Sequence, residues 1–223
     1  MAVADYSDGG HGGQRKDGGM LTPGRMRIIA GRWRSRVLVC PRGDQTRPMP
    51  DRMRESVFDI LGSLYGAPGI LPPLMVVDAF AGSGAIGLEA MSRGARMCCF
   101  LECHPVALKA LRANAQCLQA GADARILPVD AWKHRWEPVV DGSMLDLLLL
   151  DPPYRDSGDA SADGKVCRLL ADVAGGGWTA PDAVAVLHHP ARVEFSPDVV
   201  CGWRRFDSRR YGSGAVTFFR RCP

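Results

Sequence analysis

The sequence has little with which to hold a metal ion or close a disulfide framework. Its eight cysteines (Cys40, Cys98, Cys99, Cys103, Cys117, Cys167, Cys201 and Cys222) are scattered, with no C-x-x-C pair and no spaced histidine pair after any of them. That pattern excludes the common zinc modules, so no metal is expected. Cys98 and Cys99 lie in an apolar run, where a reduced thiol acts as a small hydrophobe, and a reducing cytoplasm is the expected setting. No apolar run approaches the ~20 residues that span a bilayer, so no membrane association is expected. The first residues carry acids and glycines where a secretory leader needs an apolar stretch. The net charge is only +4, so nucleic-acid binding has to be argued from where the charges sit, not from their sum. There is no internal repeat. What is present, 223 residues of which 46% are hydrophobic and 23% charged, suits one globular domain with a full core and a small appendage.

Residues 1–24 are Gly-rich and lack apolar periodicity, so they read as a disordered tail. Residues 25–66 read as an extension. In it "MRIIAGRWRSRVLV" gives two short strand-like runs around Gly31, and a helix follows Pro50 with Met53, Val57, Ile60, Leu61 and Leu64 on one face. Arg52, Glu55 and Asp59 take the opposite face. Over residues 67–223 strand and helix alternate. "LMVVDAF", "MCCFLE", "ARILPVD", "MLDLLLLD" and "DAVAVLHH" read as strands, and "AIGLEAMSR", "PVALKALRANAQCLQA" and residues 162–173 as helices. Two strands about a Gly-Ser-Gly turn close the chain. The alternation predicts a doubly wound parallel α/β sheet, with ligands bound beyond the carboxyl ends of its strands.

"DAFAGSGAIG" sets Gly82, Ser83, Gly84 and Gly87 in a G-x-G-x-x-G spacing after a strand and before a helix, and Glu102 follows at the end of the next strand. This matches the dinucleotide fingerprint, and also a simple tight turn. Asp78 bears on the choice. A pyrophosphate would sit on the helix N-terminus, where an added carboxylate opposes it. A cationic ligand reverses that sign. S-adenosylmethionine carries a sulfonium and an ammonium and no phosphate. Glu102 can accept both ribose hydroxyls, and Asp130, at the end of the third strand, can accept from an adenine amine or cap a helix. The candidate cofactor residues are Asp78, Phe80, Gly82, Ser83, Gly84, Glu102 and Asp130.

The fourth strand ends in Asp151-Pro152-Pro153-Tyr154. Alone, this reads equally as a turn closing a buried strand. Beside the glycine loop it reads as a site for a planar exocyclic amine. Asp151 and the Pro152 carbonyl can accept that amine's protons, the prolines fix the backbone that aims the carbonyl, and Tyr154 can stack on a base. D-P-P-Y is the signature of methyltransferases that modify such amines on nucleobases. "VVDAFAGSGAIGLEAMSRGA" with "LLLLDPPY" resembles the RsmD family of bacterial 16S rRNA (guanine-N2)-methyltransferases. "RIIAGRWRSRVL…TRPMPDRMRESVFDIL" and "DSRRYGSGAVTFF" resemble that family's N-terminal segment and C-terminal hairpin, so the resemblance covers most of residues 26–220.

The resemblance implies a Rossmann-like class I S-adenosylmethionine-dependent methyltransferase fold. Its sheet has seven mostly parallel strands with a C-terminal antiparallel hairpin, preceded by a small N-terminal β-hairpin and helix. It also implies methyl transfer to a guanine N2 amine, with Asp151, Pro152, Pro153 and Tyr154 as the catalytic motif and a monomer acting on an assembled or late-precursor small subunit. Three departures stand out: Met49 where the family usually has Thr, at an expected RNA-facing contact, Asp59 where Asn is common, and "AVLHHP" where a Glu near His188 is expected. His188 and His189 end the fifth strand on the ligand side and read as structural, because N-methylation needs no imidazole. Other readings are an adenine-N6 or other amino methyltransferase, an NAD(P)-dependent reductase, and a catalytically dead RNA-binding module.

Arg25, Arg27, Arg32, Arg34, Arg36, Arg42, Arg47, Arg52 and Arg54 crowd one segment that has no lysine and only Asp44 and Asp51 against them. Trp33 is interleaved. This is a polyanion footprint, and arginine suits bidentate phosphate contacts. A solvated, salt-bridged face is the alternative. Arg204, Arg205, Arg209 and Arg210, with Tyr211 nearby, extend the expected RNA surface. The target base has to leave any stack to reach Asp151.

Overall fold

A computed structural model describes residues 21–41, 49–135, 142–195 and 199–222. Strands β1 (Leu21–Arg27) and β2 (Val37–Pro41) form an antiparallel pair, and helix α1 spans Asp51–Leu64. Then come β3 (Met75–Asp78), α2 (Ala85–Ser92), β4 (Met97–Leu101), α3 (Pro105–Cys117), β5 (Ala124–Leu127) and β6 (Leu145–Leu150). The chain closes with α4 (Lys165–Gly175), β7 (Thr179–Pro190), β8 (Val199–Val200), β9 (Trp203–Tyr211) and β10 (Gly214–Arg221).

The main sheet has the order β5-β4-β3-β6-β7-β10-β9-β8. Its first five strands are parallel, and β10 pairs antiparallel with both β7 and β9. This is the expected seven-stranded sheet with one addition, the two-residue edge strand β8. Nothing in "VV" alone marks a strand; its partners on β9 create it. Residues 21–24 also depart from the reading of the first 24 residues as tail, since β1 begins at Leu21 and pairs with β2. Residues 1–20, Arg42 and Arg47 lie outside the described residues.

The alternation of residues along the strands builds two cores. Val76, Cys98, Phe100, Leu147, Leu149, Val184 and Val186 face one core, with α1, α2, α3 and the N-terminal segment packed on it. Their neighbours Val77, Cys99, Leu101, Leu148, Leu150, Ala185 and Leu187 face the other, with α4 and Trp203. Both faces are covered, which is why β3, β4 and β6 are apolar almost throughout. In α1 the buried stripe Met53, Val57, Phe58 and Leu61 recurs at helical spacing, and Asp51 places a carboxylate in the first turn.

The N-terminal segment shares the first core through Ile28, Leu38 and Met49. Polar anchors fix it as well. Glu89 of α2 accepts the backbone N–H of Ile29 (2.7 Å) and of Ala30 (3.0 Å), and Ser92 Oγ accepts that of Trp33 (3.0 Å). Asn114 of α3 accepts Val39 N–H (2.8 Å) and donates to the Val39 and Ser83 carbonyls, both at 2.9 Å.

Candidate active site

Strand order reverses between β3 and β6: from β3 the chain winds outward through β4 and β5, then returns to the far side of β3. Such a switch point leaves a crevice at the carboxyl ends of the two strands. Asp78 ends β3 opposite Leu149, and Asp151 follows the last residue of β6. The sheet therefore sets the two sequence-predicted acids at one crevice.

On the β3 side, Gly84 caps α2 in the left-handed region, at φ 86°, which favours a residue without a Cβ. Asp78 is buried, and its Oδ2 accepts the Gly87 N–H at 3.0 Å, inside the first turn of α2. Its Oδ1 has no hydrogen-bond partner within bonding distance among the described residues, although the Phe80 N–H also favours the ionised carboxyl. Burial pushes the Asp78 carboxyl up to about 7, with the Asp151 and Glu102 charges adding to the rise and the Gly87 N–H opposing it. Glu102, just past β4, accepts Gly82 N–H (2.8 Å) at Oε2 and His104 N–H (2.7 Å) at Oε1. Asp130 accepts Trp132 N–H at 3.0 Å and lies 3.7 Å from Lys133, so it caps a short turn, not a full helix. Phe80 packs on Trp132 with ring centroids 4.7 Å apart. A groove of about 440 Å³ opens beyond them, lined by Asp130, Trp132, Lys133 and Lys165.

These residues fit S-adenosylmethionine better than a dinucleotide. Glu102 already fixes the glycine loop yet keeps further lone pairs for ribose hydroxyls. Gly82, at φ 55°, has open space where a Cβ would stand, so a ligand can approach its backbone. The orphaned, buried Asp78 Oδ1 repels an anion and attracts a cation.

On the β6 side, Asp151 is joined by a residue assigned no functional part by the sequence. His188, near the end of β7, is buried and places Nδ1 2.7 Å from Asp151 Oδ1. Its Nε2 lies 2.8 Å from the Tyr154 hydroxyl. His188 thus joins Asp151 and Tyr154, a contact the sequence does not disclose. No local motif marks it; only the pairing of β6 with β7, which sets Leu150 beside Leu187, brings it to the Asp-Pro-Pro-Tyr turn. His189 does behave structurally. It bonds the Pro190 carbonyl and Thr217 Oγ1, and burial pulls it down to about 4. The turn is closed by Asp156 N–H on the Pro153 carbonyl at 2.8 Å. Tyr154 stays 39% exposed.

The arginines divide. Arg27, Arg32, Arg34, Arg36 and Arg52 are exposed, with Arg32 stacked 4.1 Å over the Trp33 ring. Arg54 is not. It is fully buried, bonded to the Arg27 carbonyl (2.7 Å) and Asp51 (2.9 Å) and 3.9 Å from Glu89, so it is removed from the phosphate-binding set. Met49 is buried in the core and makes no RNA-facing contact. Arg209 and Arg210 lie exposed on β9, where Asp207 and Glu194 pair with them.

A family model described as "Conserved hypothetical protein 95" matches residues 26–220. The chain belongs to this family. Conserved hypothetical protein 95 thus takes in the arginine-rich segment, the glycine loop and the closing hairpin as one unit. Among similar proteins, the ribosomal RNA small subunit methyltransferase D of Escherichia coli (strain K12) is 32% identical over 199 residues, 89% of this chain and 91% of that one. The solved structure of Escherichia coli yhhF superposes with a TM-score of 0.69 at 29% identity, covering 89% of this chain and 99% of that one. A hypothetical protein of Thermus thermophilus gives 0.67 at 28% identity, over 86% and 98%. The fold is the class I methyltransferase fold.

Proposed function

We propose that the protein transfers the methyl group of S-adenosylmethionine to the exocyclic N2 amine of a guanine in 16S rRNA of the small ribosomal subunit. The observation that carries this reading is the Asp151-Pro152-Pro153-Tyr154 turn at the switch point, one strand from the glycine loop and its acids. The name of the Escherichia coli relative supports ribosomal RNA as the substrate class.

When bound, S-adenosylmethionine supplies an electrophilic methyl on a sulfonium. Asp78 lies buried behind the glycine loop, where a cationic ligand favours its ionised form and is favoured by it, and Glu102 holds the loop in place. A guanine N2 lone pair is delocalised into the ring, so the amine is a weak nucleophile until it pyramidalises. Asp151 and the Pro152 carbonyl accept its two N–H groups and favour the sp3-like form. As the new N–C bond forms and the methyl–sulfur bond breaks, leaving a neutral thioether, the nitrogen becomes cationic; the Asp151 carboxylate stabilises that charge, and the extra proton is then lost to water. Tyr154 stacks on the base, and the prolines keep the carbonyl aimed.

The exposed arginines hold the RNA. A Cβ on Gly214 would touch Tyr154 Oη (2.6 Å) and Met53 Cε (3.4 Å), so the first turn of α1, with Arg52, begins beside the catalytic turn. The substrate is the assembled or late-precursor subunit, met by a monomer in the cytoplasm; no described helix is long and apolar enough to cross a membrane.

Deleting the gene and digesting small-subunit RNA to nucleosides for mass spectrometry tests this. One N2-methylguanosine disappears, and the wild-type gene restores it. The Asp151→Ala protein does not, because losing one oriented acceptor costs at least ~2 kcal/mol, about thirty-fold in single-turnover rate. Its affinity for S-adenosylhomocysteine is unchanged. Loss of N6-methyladenosine instead would assign the adenine-amine chemistry, and thermal stabilisation by NADH but not by S-adenosylhomocysteine would end the methyltransferase reading.

A further inference from the structure

We propose that His188 is a positioning residue for methyl transfer, tying the Asp151 carboxylate and the Tyr154 ring into one rigid unit. The inference rests on the reading of Asp151 as acceptor of the target amine. An ionised carboxylate only accepts, so the 2.7 Å contact at Asp151 Oδ1 requires the proton on His188 Nδ1. Nε2 shares a hydrogen bond with the Tyr154 hydroxyl at 2.8 Å. The chain runs from the Tyr154 hydroxyl through His188 Nε2 and Nδ1–H to Asp151 Oδ1.

Two consequences follow for the reaction. Oδ1 is committed to His188, so Oδ2 is the oxygen turned over to the amine, and the carboxylate cannot rotate to trade them. Tyr154 is fixed at the same time. Its ring meets His188 edge-on at 70°, which sets the plane offered to the base. Acceptor and platform thus hang from one side chain on a central strand, and a central strand is the most rigid place to hang them.

The neighbouring strand is cut to fit this chain. A Cβ on Gly214 of β10 would lie 2.6 Å from Tyr154 Oη and 2.9 Å from His188 Nε2. The pair therefore needs a glycine across the ladder, and Gly214 supplies it.

The test separates the two contacts of the imidazole. His188→Asn keeps a donor at the Nδ1 position, His188→Gln keeps a partner at the Nε2 position, and His188→Leu keeps neither. Full-length variants are first checked for unchanged melting and S-adenosylhomocysteine affinity. Single-turnover methylation of small subunits from the deletion strain is then measured at saturating substrate. His188→Leu and His188→Gln are expected to slow the chemical step ~10-fold or more with KM for the particle little changed, and His188→Asn to recover most of the rate. A wild-type rate in His188→Leu, or His188→Asn no faster than His188→Gln, overturns the proposal. If His188→Leu does not fold, the Asn and Gln pair decides alone. If the wild-type enzyme itself leaves guanine N2 unmodified, the proposed function fails and this inference falls with it.

Discussion

Asp78 shows how one side chain ties ligand choice to stability. Its folded value of about 7 lies above the usual 3.8, so the native state holds the proton more tightly than the unfolded chain. The group favours the fold below about pH 4, and that contribution is lost as pH rises toward 7. A rise of this size corresponds to a ceiling of about 4 kcal/mol. Asp78→Asn is neutral at every pH, so it should melt higher than wild type at pH 8 in the absence of cofactor, and near wild type at pH 4.5. The same substitution should weaken S-adenosylmethionine binding. A variant less stable than wild type at pH 8 would contradict the assignment of a buried carboxyl whose burial outweighs its backbone N–H partners. At this scale the sequence shows most of the site. Asp78, Glu102 and Asp151 are legible because each ends a strand beside a recognisable turn. His188 is not, because its partners stand 34 and 37 residues away and no local pattern encodes them.

Among the elements, α2 carries more than its short span suggests. Its Glu89 is buried, pairs with Arg93 at 2.7 Å, and accepts two backbone N–H groups from the segment leading to β2. Glu89→Ala would leave Arg93 and Arg54 charged in the core and two amides unpaired. It is expected to destabilise the fold by ~3–5 kcal/mol, read as a lowered urea midpoint with an unchanged slope. Glu89 also explains why Arg54 misleads a reader of the sequence. Counting arginines finds a basic segment, but whether one of them points to solvent depends on an acid from a helix two elements later. The helices and parallel strands themselves are plain from apolar period and from Pro105 and Gly94 at their ends. The limits of β1 and β2 are less so: β1 ends at Arg27, ahead of Ile28 and Ile29 in the first apolar run, and β2 takes in Val37-Leu38-Val39 but continues to Pro41.

For the whole molecule, the charge argument survives in a reduced form. The exposed arginines of the N-terminal segment and β9 predict an RNA affinity that falls steeply with salt, with a log-log slope of roughly −0.7 to −0.9 per neutralised phosphate. Replacing Arg32, Arg34 and Arg36 together by Ser should make that slope shallower in a filter-binding titration without lowering the melting temperature. An affinity indifferent to salt would show that these side chains serve something other than RNA. Neither the net charge nor the composition discloses this surface; it depends on clustering in sequence and on the hairpin that presents the cluster.

Asn114 gives the chain no seam to cut along. One amide side chain fastens the second strand of the hairpin and the serine of the glycine loop. An engineer who detached the first 66 residues to graft the catalytic half elsewhere would strip that amide of its Val39 partners and take Ile28, Leu38 and Phe58 out of the core. The arginine-rich arm and the floor of the proposed cofactor site are thus held by one amide and one core, and a cut between them would expose both.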